Sequence, residues 1–114
     1  MKAIVINKQS TIEYIEIQLT SLAQKWARVR VETVGLCGTD VAKLTSNNLP
    51  ANHTRILGHE FIGQVVEVNG SGNNISIGDW VICMPLIACG NCDACIQHKE
   101  NLCVNAEAIG RTVQ

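Results

Sequence analysis

Trp26-Ala27-Arg28-Val29-Arg30-Val31-Glu32-Thr33-Val34, running directly into Gly35-Leu36-Cys37-Gly38-Thr39-Asp40, is the stretch that decides the fold. Ala27, Val29 and Val31 alternate with Arg28, Arg30 and Glu32, the period-two pattern of a strand with one apolar and one solvated face. Gly35 ends the run, and Thr39 or Asp40 stands where it can cap a short helix over Val41-Ala42-Lys43-Leu44. Upstream, Ala3-Ile4-Val5-Ile6 and Thr11-Ile12-Glu13-Tyr14-Ile15-Glu16-Ile17 flank the polar turn Asn7-Lys8-Gln9-Ser10. The imperfect alternation of the second run predicts a half-buried strand with a bulge. Downstream, a polar loop over 46–54 with Pro50 leads to a strand over 61–68. A turn-rich link, Asn69-Gly70-Ser71-Gly72-Asn73-Asn74, follows, and Gly78-Asp79 turns into the strand Trp80-Val81-Ile82-Cys83. Short strands separated by glycine turns predict a mainly β barrel or sandwich rather than a βαβ architecture.

The 114 residues suit one domain, and 46 % apolar side chains suffice for a core. Aromatics are only 4 %, so that core must be aliphatic. Nine basic against ten acidic residues leave a net charge of −1, which offers no positive field for nucleic acid or an anionic membrane surface. The apolar run at residues 3–6 is too short for a signal-peptide core. The longest apolar stretch, 81–89, contains Pro85 and falls far below the roughly 20 residues that span a bilayer. A soluble cytoplasmic protein is therefore expected. Gly70-Ser71-Gly72 begins a G-x-G-x-x-G pattern, but Ile75 stands at the third glycine and the segment joins two strands. It is no dinucleotide fingerprint.

Four of the six cysteines form a C-x2-C-x2-C-x7-C cluster at Cys89, Cys92, Cys95 and Cys103. Without a secretion signal, such clustering points to a metal site rather than a disulfide scaffold. Four thiolates can close tetrahedrally on one Zn²⁺, giving a site that stabilises a loop but has no open position for substrate. An iron–sulfur cluster and unliganded thiols are the competing readings; Val104 after Cys103 departs from the ferredoxin spacing, where Pro follows. Cys83 lacks a partner at ligand spacing and reads as a small buried hydrophobe.

Cys37-Gly38-Thr39-Asp40 and Gly58-His59-Glu60 hold a second candidate constellation. Cys37 and His59 are both zinc-ligand types. Asp40 could accept the other ring N–H of His59, and Glu60 could bind the metal or support it. On spacing alone a lone Cys and a lone His are more often structural.

Taken in order, Gly35-Leu36-Cys37-Gly38-Thr39-Asp40, Gly58-His59-Glu60, Gly78-Asp79-Trp80-Val81 and the four-cysteine cluster resemble the zinc-dependent medium-chain alcohol and polyol dehydrogenases. The resemblance covers nearly the whole chain. It implies a GroES-like, partly open β-barrel with short helices and a protruding Cys₄ zinc lobe at about 86–105. It implies Cys37 and His59 as ligands of a catalytic zinc, with Glu60 a carboxylate able to join them when the site is unoccupied by substrate. Thr39 becomes the hydroxyl that relays the substrate proton, Asp40 the partner of His59, and Cys89, Cys92, Cys95 and Cys103 the structural zinc site. A small-molecule alcohol would give hydride to NAD or NADP, and the full-length enzyme would be a homo-oligomer. Ala42 stands where a relay histidine often follows in this family, so Lys43 or water would have to continue the relay. Gly38, in place of a basic residue, resembles the polyol, sugar-alcohol-phosphate and threonine dehydrogenase branches. His53 and His98 read as ordinary surface histidines.

The family continues into a Rossmann domain that these 114 residues do not encode. Residues 1–114 are thus expected to be the N-terminal part of the catalytic domain, inactive alone. The alternative is a stand-alone, non-catalytic zinc-binding structural or interaction module, its exposed barrel edge free to associate. An electron-transfer module is a weaker third reading.

Overall fold

A computed structural model describes residues 1–7, 11–45, 55–71, 74–110 and 112. The elements, in chain order, are β1 (Lys2–Ile6), β2 (Ile12–Glu16), β3 (Trp26–Gly35), α1 (Gly38–Thr45), β4 (Arg55–Ile56), β5 (Glu60–Asn69), β6 (Trp80–Ile82), β7 (Leu86–Ile87), α2 (Asp93–Ile96) and β8 (Glu107–Ala108), with a 3₁₀ turn over Glu100–Leu102 before β8. One sheet has the order β2-β1-β4, a second β3-β5-β6, and β7 pairs with β8. Every pairing among the described residues is antiparallel. The architecture is mainly β and its sheets do not close, in keeping with an open barrel.

The small core lies on β1 and β5. Val5 and Ile6 of β1 and Val65 of β5 are fully buried, and Ala3 nearly so. The expected bulge in the second run is not there. β1 and β2 pair without a break from Lys2↔Glu16 to Ile6↔Ile12. Ile12 and Tyr14 interrupt the pattern because they are exposed apolar residues on an outer strand. The bulges fall instead on the β3–β5 ladder, at Arg28/Val29 and Val31/Thr33. Glu32 is the extra residue at the second. Ala27 and Val29 are half-buried, while Val31 is 45 % exposed.

The polar face of β3 is not wholly solvated either. Arg30 is exposed, pairing with Glu32 and Gln64, but Arg28 is half-buried. Arg28 forms an ion pair with Glu67, its cross-strand neighbour, and donates to the Thr20 carbonyl at 2.6 Å. It thereby ties the segment before β3 to the sheet. The 46–54 loop, with His53, and parts of the turns at 7–10 and 69–74 lie outside the described residues.

Gly63 sits at the β3–β5 crossing, where a Cβ would collide with the Arg30 carbonyl oxygen and come within 2.6 Å of Val29 Cγ1. Backbone cannot yield as a flexible side chain can. Gly63→Ala is expected to cost about 1–3 kcal/mol of stability, read as a lower midpoint in urea unfolding; an unchanged midpoint would show that the ladder relaxes around a methyl group.

Candidate metal centres

The β7–β8 hairpin, paired Leu86↔Ala108 and Ile87↔Glu107, holds the ends of the cysteine segment together. Within it Cys92 precedes α2, Cys95 lies on that helix, and Cys103 follows the 3₁₀ turn. The Cys89 N–H donates to Cys103 Sγ at 3.3 Å. Sulfur–sulfur separations are 3.5 Å for Cys92–Cys95, 3.8 Å for Cys92–Cys103 and 4.0 Å for Cys89–Cys95. All four sulfurs lie within 4.8 Å of one another, and none is in a disulfide. A regular tetrahedron of Zn–S bonds near 2.3 Å has edges of about 3.8 Å. The four side chains fit such an ion.

Backbone geometry divides the thiols. Backbone hydrogen bonds at Asn91, and secondarily at Cys92, lower the Cys89 thiol to about 6. Those at Cys95 and Val104 lower Cys92. Cys95 is buried, and loss of solvent pushes it up to about 12. Cys83 is half-buried, its thiol raised by burial, and its N–H donates to the Phe61 carbonyl; it belongs to neither cluster.

The second constellation is assembled by the sheet. β3 and β5 end on the pair Gly35↔Glu60, so Cys37 two residues beyond one strand meets His59 immediately before the other. Gly58 makes this approach possible: its φ is +86°, and a Cβ there would run into Val34 Cγ1. The donor atoms of Cys37, His59 and Glu60 lie within 4.8 Å of one another. Sulfur, imidazole and carboxylate are all zinc-ligand types, and three protein donors leave a fourth position open.

Asp40 joins the two halves. Neither it nor Thr39 is the cap expected from the sequence, because the helix starts earlier, at Gly38. The Cys37 carbonyl accepts from the Asp40 and Val41 N–H groups, and Asp40 Oδ2 accepts the Cys37 N–H at 3.1 Å. The carboxylate reaches back from the third helical position, as the acidic residue of a capping box does. Its Oδ1, buried and without a hydrogen bond among the described residues, lies 3.5 Å from His59 Nδ1. That contact favours a proton on Nδ1 and leaves Nε2 free for a metal.

Thr39 Oγ1 lies 3.5 Å from His59 Nε2. Both line a cavity of about 150 Å³ with Lys43, Pro85, Leu86, Ala108 and Ile109. Leu86 and Ala108 carried no sequence signal, because two-residue strands have no readable period. Ala42 is exposed and outside this lining, and His98 is exposed on the cysteine lobe.

Residues 23–113 match the alcohol dehydrogenase GroES-like domain family. An uncharacterized zinc-type alcohol dehydrogenase-like protein of Haemophilus influenzae is 32 % identical over 96 % of this chain and 32 % of its own length. Galactitol-1-phosphate dehydrogenase of Escherichia coli superposes with a TM-score of 0.90 at 28 % identity, over all of this chain and 33 % of that one. An alcohol dehydrogenase of Escherichia coli CFT073, solved with its cofactor NADH, gives 0.87 at 29 % identity over 100 % and 33 %. The chain spans about a third of the length of these relatives. With its open antiparallel sheets, cysteine lobe and match over residues 23–113, the chain belongs to the alcohol dehydrogenase GroES-like domain family of the zinc-type alcohol and polyol dehydrogenases.

Proposed function

We propose that this chain is the N-terminal catalytic-domain segment of a zinc-dependent dehydrogenase that oxidises a polyol, sugar-alcohol phosphate or amino alcohol with hydride transfer to NAD or NADP. The observation that carries the reading is the convergence of Cys37, His59 and Glu60 donors beside Thr39 at a cavity. Cys37, His59 and Glu60 would hold the catalytic zinc; Cys89, Cys92, Cys95 and Cys103 would hold the structural one. Bound zinc supplies a Lewis acid that lowers the pKa of an alcohol hydroxyl and, in the reverse direction, polarises a carbonyl.

The chain's own residues do the rest. Among the described residues lining the cavity Thr39 alone bears a hydroxyl, which suits it to accept the substrate proton and pass its own toward solvent. Lys43 or water continues the route that Ala42 cannot. Asp40 fixes the His59 ring, and the Pro85, Leu86, Ala108 and Ile109 walls exclude water from the reacting carbon. No strand–G-x-G-x-x-G–helix unit occurs in the sequence, so a Rossmann domain outside these residues is proposed to hold the cofactor.

Six free thiols suit a reducing cytoplasm, where we place the protein. No helix among the described residues is long and apolar enough to cross a membrane. The exposed Ile96, Leu102 and Val104 of the cysteine lobe are a candidate surface for homo-oligomer contact.

Elemental analysis tests the assignment. Two zinc equivalents are expected per chain, falling to one on Cys37→Ser; a single four-cysteine ion with no metal at Cys37 and His59 favours the non-catalytic module instead. In the full-length enzyme Thr39→Val is expected to lower kcat by about 10²–10⁴ with zinc content unchanged, and normal turnover would remove Thr39 from the relay. In the metal-free chain at pH 7, a thiol near 6 is mostly thiolate and one near 12 almost wholly protonated. Mass-resolved iodoacetamide labelling should therefore modify Cys89 first and Cys95 last, and zinc should protect all four; the reverse order would contradict the lobe geometry.

A further inference from the structure

Asp40 is 1 % exposed, and its two oxygens are unequally served. Oδ2 takes the Cys37 N–H, whereas Oδ1 accepts no hydrogen bond among the described residues. Two basic side chains flank Oδ1, with His59 Nδ1 at 3.5 Å and Lys43 Nζ at 3.8 Å. Lys43 follows Asp40 by one helical turn, is 19 % exposed at its side chain, and lines the same cavity as Thr39 and His59.

Charge bookkeeping makes this arrangement informative. A Zn²⁺ held by the Cys37 thiolate, neutral His59 and the Glu60 carboxylate is already neutralised, so it leaves no net positive charge for Asp40. A carboxylate removed from water without a counter-charge is costly. Among the described residues, Lys43 is the cationic side chain that approaches Oδ1 besides the His59 ring.

We propose that Lys43 is a positioning residue of the Cys37–His59–Glu60 metal site. Its ammonium balances Asp40 and keeps that carboxylate seated between the Cys37 N–H and the His59 ring, which in turn holds His59 toward the metal. Lys43 therefore sets the affinity of this site without touching the ion, and does so separately from the four-cysteine site. The inference rests on the zinc reading above.

The test uses the purified protein with Lys43→Met, which keeps the length and helix preference of the side chain, and Lys43→Arg, which keeps its charge. Each is loaded with Co²⁺ under reductant, and the Cys37→Ser difference spectrum identifies the absorption of the Cys37 site. Chelator competition then gives the affinity of each ion. Lys43→Met is expected to weaken metal at the Cys37 site by about tenfold or more and to alter its cobalt bands. The four-cysteine ion should hold its affinity, and Lys43→Arg should restore most of the loss. Unchanged affinity and spectrum in Lys43→Met would overturn the proposal, as would equal weakening of both ions, which marks a folding role. A wild-type protein that takes up only the four-cysteine ion overturns the zinc reading itself and this inference with it, a result separable because it precedes any change at Lys43.

Discussion

The antiparallel ladder between β3 and β5 ends on Gly35↔Glu60, and the candidate catalytic chemistry follows from where that ladder stops. Strand pairing sets the spacing of neighbouring chains to about 5 Å, so residues just beyond the last pair must share a small volume. Cys37 leaves one strand and His59 approaches the other within that volume. Gly58 lets the incoming chain press against Val34 with no Cβ in the way, and Gly63 does the same for the middle of the ladder. The two bulges adjust the register on the way, so the ladder can be long and still deliver its ends correctly.

The two cysteine-containing centres rest on different physics. The four-cysteine lobe is local: its four cysteines span fifteen residues, and one small hairpin closes its ends. Its sulfurs come within zinc-binding distance of one another through turns and a single short helix. The Cys37–His59–Glu60 centre is assembled across the sheet, and Asp40 joins its halves by accepting from the Cys37 backbone and lying against the His59 ring. A buried carboxylate in that place is costly without a counter-charge, and Lys43 Nζ lies 3.8 Å from its Oδ1.

Several features were readable from the residues alone. Alternation at 27–31 and the strand read over 61–68 predicted the central strands, and short strands separated by glycine turns predicted a β-barrel or sandwich rather than a βαβ architecture. Elsewhere the pattern misled for identifiable reasons. Exposed Ile12 and Tyr14 mimicked a bulge in β2, whereas the real irregularities at Glu32 and Val66 left no mark in the period. Thr39 and Asp40 both have capping chemistry, but Asp40 caps backwards from inside the helix, a choice made by backbone geometry. Strands β4, β7 and β8 are two residues long, too short for any periodicity, and so the Leu86 and Ala108 walls of the cavity had no sequence signature.

What the sequence by itself determined is the donor inventory and the local lobe: four thiols at close spacing, a Cys-Gly-Thr-Asp run, a Gly-His-Glu run, and strands set by alternation. Those follow from side-chain chemistry and short-range backbone preferences, which neighbours in sequence carry with them. Only the tertiary structure decided that Cys37 meets His59 and that Asp40 is buried between them. These depend on strand register and on the removal of charge from water, and both are properties of segments brought together from distant positions in the chain.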